Sequence, residues 1–160
     1  MSIKKIFLSF CLIATLLTTM AANIITSKAY ASEQKTICIV HSYNENSPWV
    51  IDFSSAIEDD LASNKDLIIK NYYLETDTIF TDDQKLNYST EIKENIEKDN
   101  PYLLICSDED AFHYVARNFF DTDIYVIVSG LNGDPIDYDL VYNNVFAVFE
   151  QESITASIEF

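Results

Sequence analysis

The sequence predicts an α/β fold: a doubly wound parallel sheet of about five strands in a three-layer αβα stack. Three observations carry that expectation. Five short apolar runs recur along the chain, and stretches with apolar residues at three- and four-residue spacing lie between them. Both glycines of the 160 residues fall together, just after the fourth run. Strands that alternate with helices imply parallel pairing, with right-handed crossovers and ligands beyond the carboxyl ends of the strands.

Taken in order, Thr36–Ser42 is continuously apolar up to its last residues, as expected of a strand covered on both faces. Pro48 then opens a helix with Val50, Phe53, Ile57 and Leu61 on one stripe. Leu67–Leu74 reads as the second strand. A helix from about Asp82 to Lys98 follows, with Ile92 and Ile96 inward and Asp82 and Asp83 favourable at its positive end. Asn100-Pro101 stops it. Tyr102–Cys106 is the third strand. Ser107-Asp-Glu-Asp110 caps a third helix, whose stripe is Phe112, Val115, Ala116 and Phe119. Ile124–Val128 and the shorter Val145–Val148 complete the sheet, and Ser153 onward reads as the start of a further helix.

The N-terminus predicts export. Lys4 and Lys5 precede an apolar run from Ile6 to about Met20, and Ala29-Tyr-Ala31 supplies a small-x-small site. This is the pattern of a signal peptide over residues 1–31, cleaved after Ala31. An uncleaved membrane anchor is the alternative, and it requires the run to tolerate Asn23 and several threonines. Residues 32–160 then form one domain, expected to be periplasmic or extracellular. The chain stops at Phe160 inside a helical pattern, so a molecule cut short is expected.

Cleavage would take three lysines and no acid from the 10 basic and 26 acidic residues, leaving a formal net charge of −19. Such a balance repels a phosphate backbone, which argues against nucleic acid and against an anionic membrane surface. Of the cysteines, Cys11 lies in the apolar leader without the small residues a lipoprotein site needs. Cys38 and Cys106 sit in strands. An oxidising compartment permits their disulfide, but buried strand cysteines more often pack as small hydrophobes.

Three places offer chemistry. Ser129-Gly-Leu-Asn-Gly133 follows strand four, where glycine allows a sharp turn and close ligand approach. His41–Trp49 leaves strand one with Ser42 and Tyr43 at its edge. Trp49 has two readings, stacking on a ligand or packing as a staple on its own helix. Asp108 is a carboxylate at the same edge, able to hold an ammonium group. Glu109 and His113 share a helix face, but two ligands do not close a metal site. His41, Ser42 and Asp108 have the residue types of a triad, yet neighbouring strand residues point to opposite faces and no Gly-x-Ser-x-Gly elbow is present. Gly-x-Gly-x-x-Gly and phosphate-loop patterns are absent as well. No catalytic residue and no cofactor is predicted.

These pieces together resemble the ABC-transporter substrate-binding-protein-like family. His41-Ser-Tyr43 with Pro48-Trp49, then Tyr73-Leu-Glu-Thr-Asp77, resemble its opening. Pro101–Ala111 resembles its third strand and next helix, Tyr125–Asn132 its fourth strand and loop, and Asn144–Glu150 its crossing toward a second lobe. The likeness implies the first lobe of a type I periplasmic-binding fold, which closes with a second lobe on a small, for instance amino-acid-like, ligand. It implies a ligand edge of Ser42, Tyr43, Trp49, Ser107, Asp108, Gly130, Asn132 and Glu150. The implied partners are a membrane transporter or a sensor kinase or cyclase module. Glu75-Thr-Asp77 departs from the family pattern by being more acidic. A secreted interaction or structural lobe that has lost ligand binding is the alternative.

Overall fold

The five apolar runs become five parallel strands: β1 (Lys35–His41), β2 (Leu67–Tyr73), β3 (Leu103–Ser107), β4 (Tyr125–Asn132) and β5 (Val145–Glu150). They lie in the order β2-β1-β3-β4-β5. The computed structural model describes residues 34–79 and 81–150. The expected signal peptide and the helix expected from Ser153 lie outside the described residues. Among those described, no helix is long and apolar enough to cross a membrane.

Helices cover both faces, which is why the centre of β1 is apolar without alternation. On one face α1 (Pro48–Leu61) lays Phe53, Ile57 and Leu61 over Ile37, Ile39 and Ile105. On the other, α2 (Asp82–Asp99) and α3 (Asp108–Tyr114) bring Ile92, Ile96 and Phe112 onto Val40, Leu104, Cys106 and Val128. The sheet is therefore doubly wound, as the sequence predicts.

Local chemistry fixes the ends of α2. The Thr81 hydroxyl accepts from the Gln84 N–H at 3.3 Å, and the Gln84 side chain accepts from the Thr81 N–H at 3.3 Å, a reciprocal capping box. Asn100, at φ 45°, closes the other end by donating its N–H to the Ile96 carbonyl. Thr81→Ala is expected to lower stability by about 1 kcal/mol, read as a lower urea midpoint at unchanged slope. An unmoved midpoint would mean that water caps the helix equally well.

Three expectations are corrected. The third helix does not run through to Phe119. It ends at Tyr114, Val115 adopts φ −120°, and a 3-10 turn spans Ala116–Phe119. The Asn118 side-chain amide takes the carbonyls of Tyr114 and Val115, each at 3.0 Å, in place of further helical N–H groups. The apolar stripe stays buried because the tighter turn still aims it at the sheet. Next, the glycine-bearing segment is not wholly a loop. β4 continues to Asn132, with a bulge between Ser129 and Leu131 where Gly130 adopts φ +79°. Finally, β5 reaches Glu150 rather than stopping at Val148.

Cys38 and Cys106 are free and fully buried. Cys38 lies beside Leu104 and Cys106 beside Val40, so the two sulfurs are offset along the neighbouring strands. Burial first, and then the Asp99 charge, push the Cys38 thiol up to about 12. Burial also raises the Cys106 thiol. Both pack as small apolar side chains.

Candidate functional site

The strand order reverses beside β1. The chain passes from β1 outward to β2, and the later strands β3, β4 and β5 lie on the opposite side of β1. Ligands of open α/β sheets bind at such a reversal, beyond the carboxyl ends of the strands. Here His41 and Ser107, paired in register, form its floor.

That floor is polar, buried and internally satisfied. His41 is 0% exposed; its Nε2 lies 3.2 Å from both Asn71 Oδ1 and Ser54 Oγ, and its Nδ1 lies 3.4 Å from Ser107 Oγ. Its ring stacks on Tyr73 at 5.3 Å. Burial, outweighing the Asn71 hydrogen bond and the Glu58 charge, lowers the His41 pKa and keeps the imidazole neutral at pH 7. Ser42 faces the other way. Its hydroxyl donates to the Ser107 carbonyl at 2.8 Å and accepts from the Ala111 N–H at 2.8 Å. Ser107, which stands at the N-cap of α3, makes no side-chain cap bond; Ser42 caps the helix from the neighbouring strand.

A second tier stands on this floor. Asp108 takes φ 77°, a left-handed backbone that aspartate tolerates better than most residues but that still stores strain. Its Oδ1 accepts from the Glu109 N–H at 2.8 Å. Tyr43, half-buried, stands beside the Asp108 carboxyl. Glu109 Oε1 accepts from the Asn132 N–H at 2.7 Å and from its side-chain amide at 2.9 Å. The Tyr138 hydroxyl donates to the Asn132 carbonyl at 2.8 Å and braces the end of β4. A β-carbon on Gly130 would stand 3.5 Å from the Asp108 nitrogen and 3.7 Å from Glu150 Oε1, so the bulge brings those two residues together.

The carboxyls of this tier are not equivalent. Burial, together with a hydrogen bond to Glu109, pushes Asp108 up to about 6. Burial alone would raise Glu109 too, but hydrogen bonds from Asp108 and from the backbone and side chain of Asn132 hold it down at about 2. Burial, the Asp108 hydrogen bond and the surrounding acids push the Tyr43 phenol up to about 12. At neutral pH the ledge carries negative charge beside a neutral phenol. Such an arrangement accepts hydrogen bonds from N–H donors and attracts cations.

The sequence-predicted residues thus divide into three. Tyr43, Asp108, Gly130, Asn132 and Glu150 converge on the ledge. Ser42 and Ser107, expected to meet ligand, are 1% and 0% exposed, and the bonds described above hold them in the floor; there they position the ledge. Trp49 packs over Phe53 one turn along α1, ring centroids 6.4 Å apart, and is still 42% exposed. Sequence reasoning missed Glu109, weighing it only with His113 as a metal ligand; its place beside Asp108 at the strand edge was the available signal. Among the described residues, no group of three or more His, Cys, Asp or Glu side chains is arranged to hold a metal. The acidic Glu75-Thr-Asp77 corner braces the loop: the Asn44 N–H donates to Asp77 at 3.1 Å, and the Thr76 hydroxyl to the Ser42 carbonyl at 2.8 Å.

No family model and no curated protein matches the chain. Among solved structures, it resembles the ligand-free, open structure of CD0873, a substrate binding protein with adhesive properties from Clostridium difficile. The TM-score is 0.57 at 14% identity, over 76% of this chain and 40% of that chain. The fold is one shared with a substrate-binding protein. A crystal structure from Mycobacterium smegmatis also matches, with TM-score 0.43 and 17% identity over 65% of this chain and 36% of that one. The chain spans less than half the length of the solved structures it matches.

Proposed function

We propose that this chain is an exported solute-binding lobe of the type I periplasmic-binding kind, holding a small molecule at the carboxyl edge of its sheet. It serves as receptor for an ABC transporter or as sensor input of a membrane signalling protein. The observation that carries the reading is the reversal of strand order beside β1, under a ledge where Tyr43, Asp108, Gly130 and Glu150 meet. The shared fold with a substrate-binding protein supports it. The ledge's charge favours a cationic or zwitterionic ligand, amino-acid-like molecules among them.

A thermal-shift screen against amino acids, small peptides and purines tests the proposal, because a ligand of the folded state raises its melting temperature. Against the ligand found, Asp108→Ala and Tyr43→Ala are each expected to weaken binding by roughly tenfold, the size of one lost charge-assisted hydrogen bond, with the fold retained. If the ligand is a cation, binding should fade as pH falls through about 6, where Asp108 takes up its proton and loses its charge. Affinity for that cation that stays level from pH 7 to pH 5 would remove Asp108 from the contact. A cooperative melt that no compound shifts would favour an interaction or structural role instead.

A further inference from the structure

We propose that the cavity between the open edge of β2 and helix α2 is a second small-molecule site, one that takes an organic cation of choline size. It is separate from the ledge and does not rest on the solute-binding reading of that ledge.

The cavity encloses about 210 Å³ and is lined by Tyr72, Tyr73, Glu75, Tyr88, Glu91 and Asn95, among others. A cavity of about 150 Å³ takes benzene, so this one has room for a molecule of roughly seven non-hydrogen atoms, about as many as choline has. On α2, Tyr88, Glu91, Ile92 and Asn95 fall at three- and four-residue spacing, so one stripe of the helix faces the cavity. Only Ile92 of these four is apolar, although a stripe packed beside a sheet ordinarily carries core residues.

Two aromatic rings border the space from the α2 face, those of Tyr72 and Tyr88, and one of them is held in place. Tyr72 donates its hydroxyl to Asp99, whereas the Tyr73 ring stacks on His41 and so lies on the face toward α1. Tyr88, 38% exposed, stands at the rim. Glu75 and Glu91 form no side-chain hydrogen bond or ion pair among the described residues. Lys70, Lys85, Lys93 and Lys98 pair instead with Asp99, Asp110, Glu97 and Glu94. Glu75 and Glu91 line the same cavity as Tyr88, and burial and then their charges raise the Tyr88 phenol. Aromatic faces with nearby carboxylates, which no cation of the described residues pairs, make a surface that attracts an alkylammonium group by cation–π and Coulomb terms together.

Choline chloride titrated into the full chain by calorimetry tests this, with its uncharged tert-butyl isostere and sodium chloride as controls. Choline is expected to bind saturably and the isostere not to bind. Tyr88→Phe should keep the affinity, because the ring remains, and Tyr88→Leu should weaken it roughly tenfold. Glu91→Gln, on an exposed helix position, should weaken it roughly fivefold, and it carries the test if Tyr88→Leu melts abnormally. Asp108→Asn should leave choline binding unchanged, which separates this site from the ledge. Equal binding of choline and its isostere would overturn the proposal. So would wild-type affinity in both Tyr88→Leu and Glu91→Gln, loss of binding in Asp108→Asn, or no saturable binding at all.

Discussion

Replacing Phe112 by alanine is expected to cost about 3–5 kcal/mol of folding stability, a large part of what a domain of this size has. Phe112 is fully buried and is the largest side chain so placed among the described residues. It joins three parts of the lobe. Its ring meets Tyr138 edge-on at 5.3 Å, Phe120 at 6.1 Å, and the Arg117 guanidinium at 5.8 Å. Truncation removes the burial and leaves a void that aromatic neighbours fill poorly, since their rings are fixed by one another. Urea unfolding followed by circular dichroism measures the cost. A loss under about 1 kcal/mol would mean that α3 settles onto the sheet without this ring, and that the packing described for it contributes little.

The second large effect is expected from Ser42→Ala. One hydroxyl serves both the Ser107 carbonyl and the Ala111 N–H, and none of the three groups has water to turn to. Losing it strands a donor at the start of α3 and weakens the tie between β1 and β3. The expected cost is about 2–3 kcal/mol, the upper part of the range for an unsatisfied buried partner. Ser107→Ala is the control. The Ser107 hydroxyl has one 3.4 Å contact with His41, so its removal should cost well under half as much. Equal losses in the two variants would contradict the assignment of the cap to Ser42. Because the cap holds Asp108 and Glu109 in place, Ser42→Ala should also loosen any ligand of the ledge, although Ser42 does not reach the surface.

Much of the architecture is legible along the chain, because each element is short, uniform in period and punctuated. The apolar run before His41 requires a strand with two covered faces, and Pro48 and Asn100-Pro101 mark a helix start and a helix end. The site is less legible, for a specific reason. Ser42 and Ser107 are small polar residues at strand ends, and sequence does not tell a hydroxyl that greets a ligand from one that caps a helix across two strands. That distinction depends on which strand lies beside which. Glu109 was hidden similarly, since its partner Asn132 arrives from another strand. The end of α3 at Tyr114 was invisible because the apolar spacing continues through the 3-10 turn, while the Asn118 side chain breaks the helical hydrogen bonding. The left-handed turn at Asp108 has no local signal of its own, as a glycine would have given.

The two buried thiols have a consequence for how the lobe comes to its final state. Neither sulfur is in a disulfide, and both sit where no reagent reaches them while the core is closed. Assembly of the sheet therefore needs no oxidase and no shuffling of cross-links, and the lobe matures equally in an oxidising or a reducing environment. The sulfurs also keep time. An alkylating agent in excess can mark Cys38 or Cys106 only when α2 and α3 lift from the sheet that they cover, so the rate of marking measures how often that layer opens.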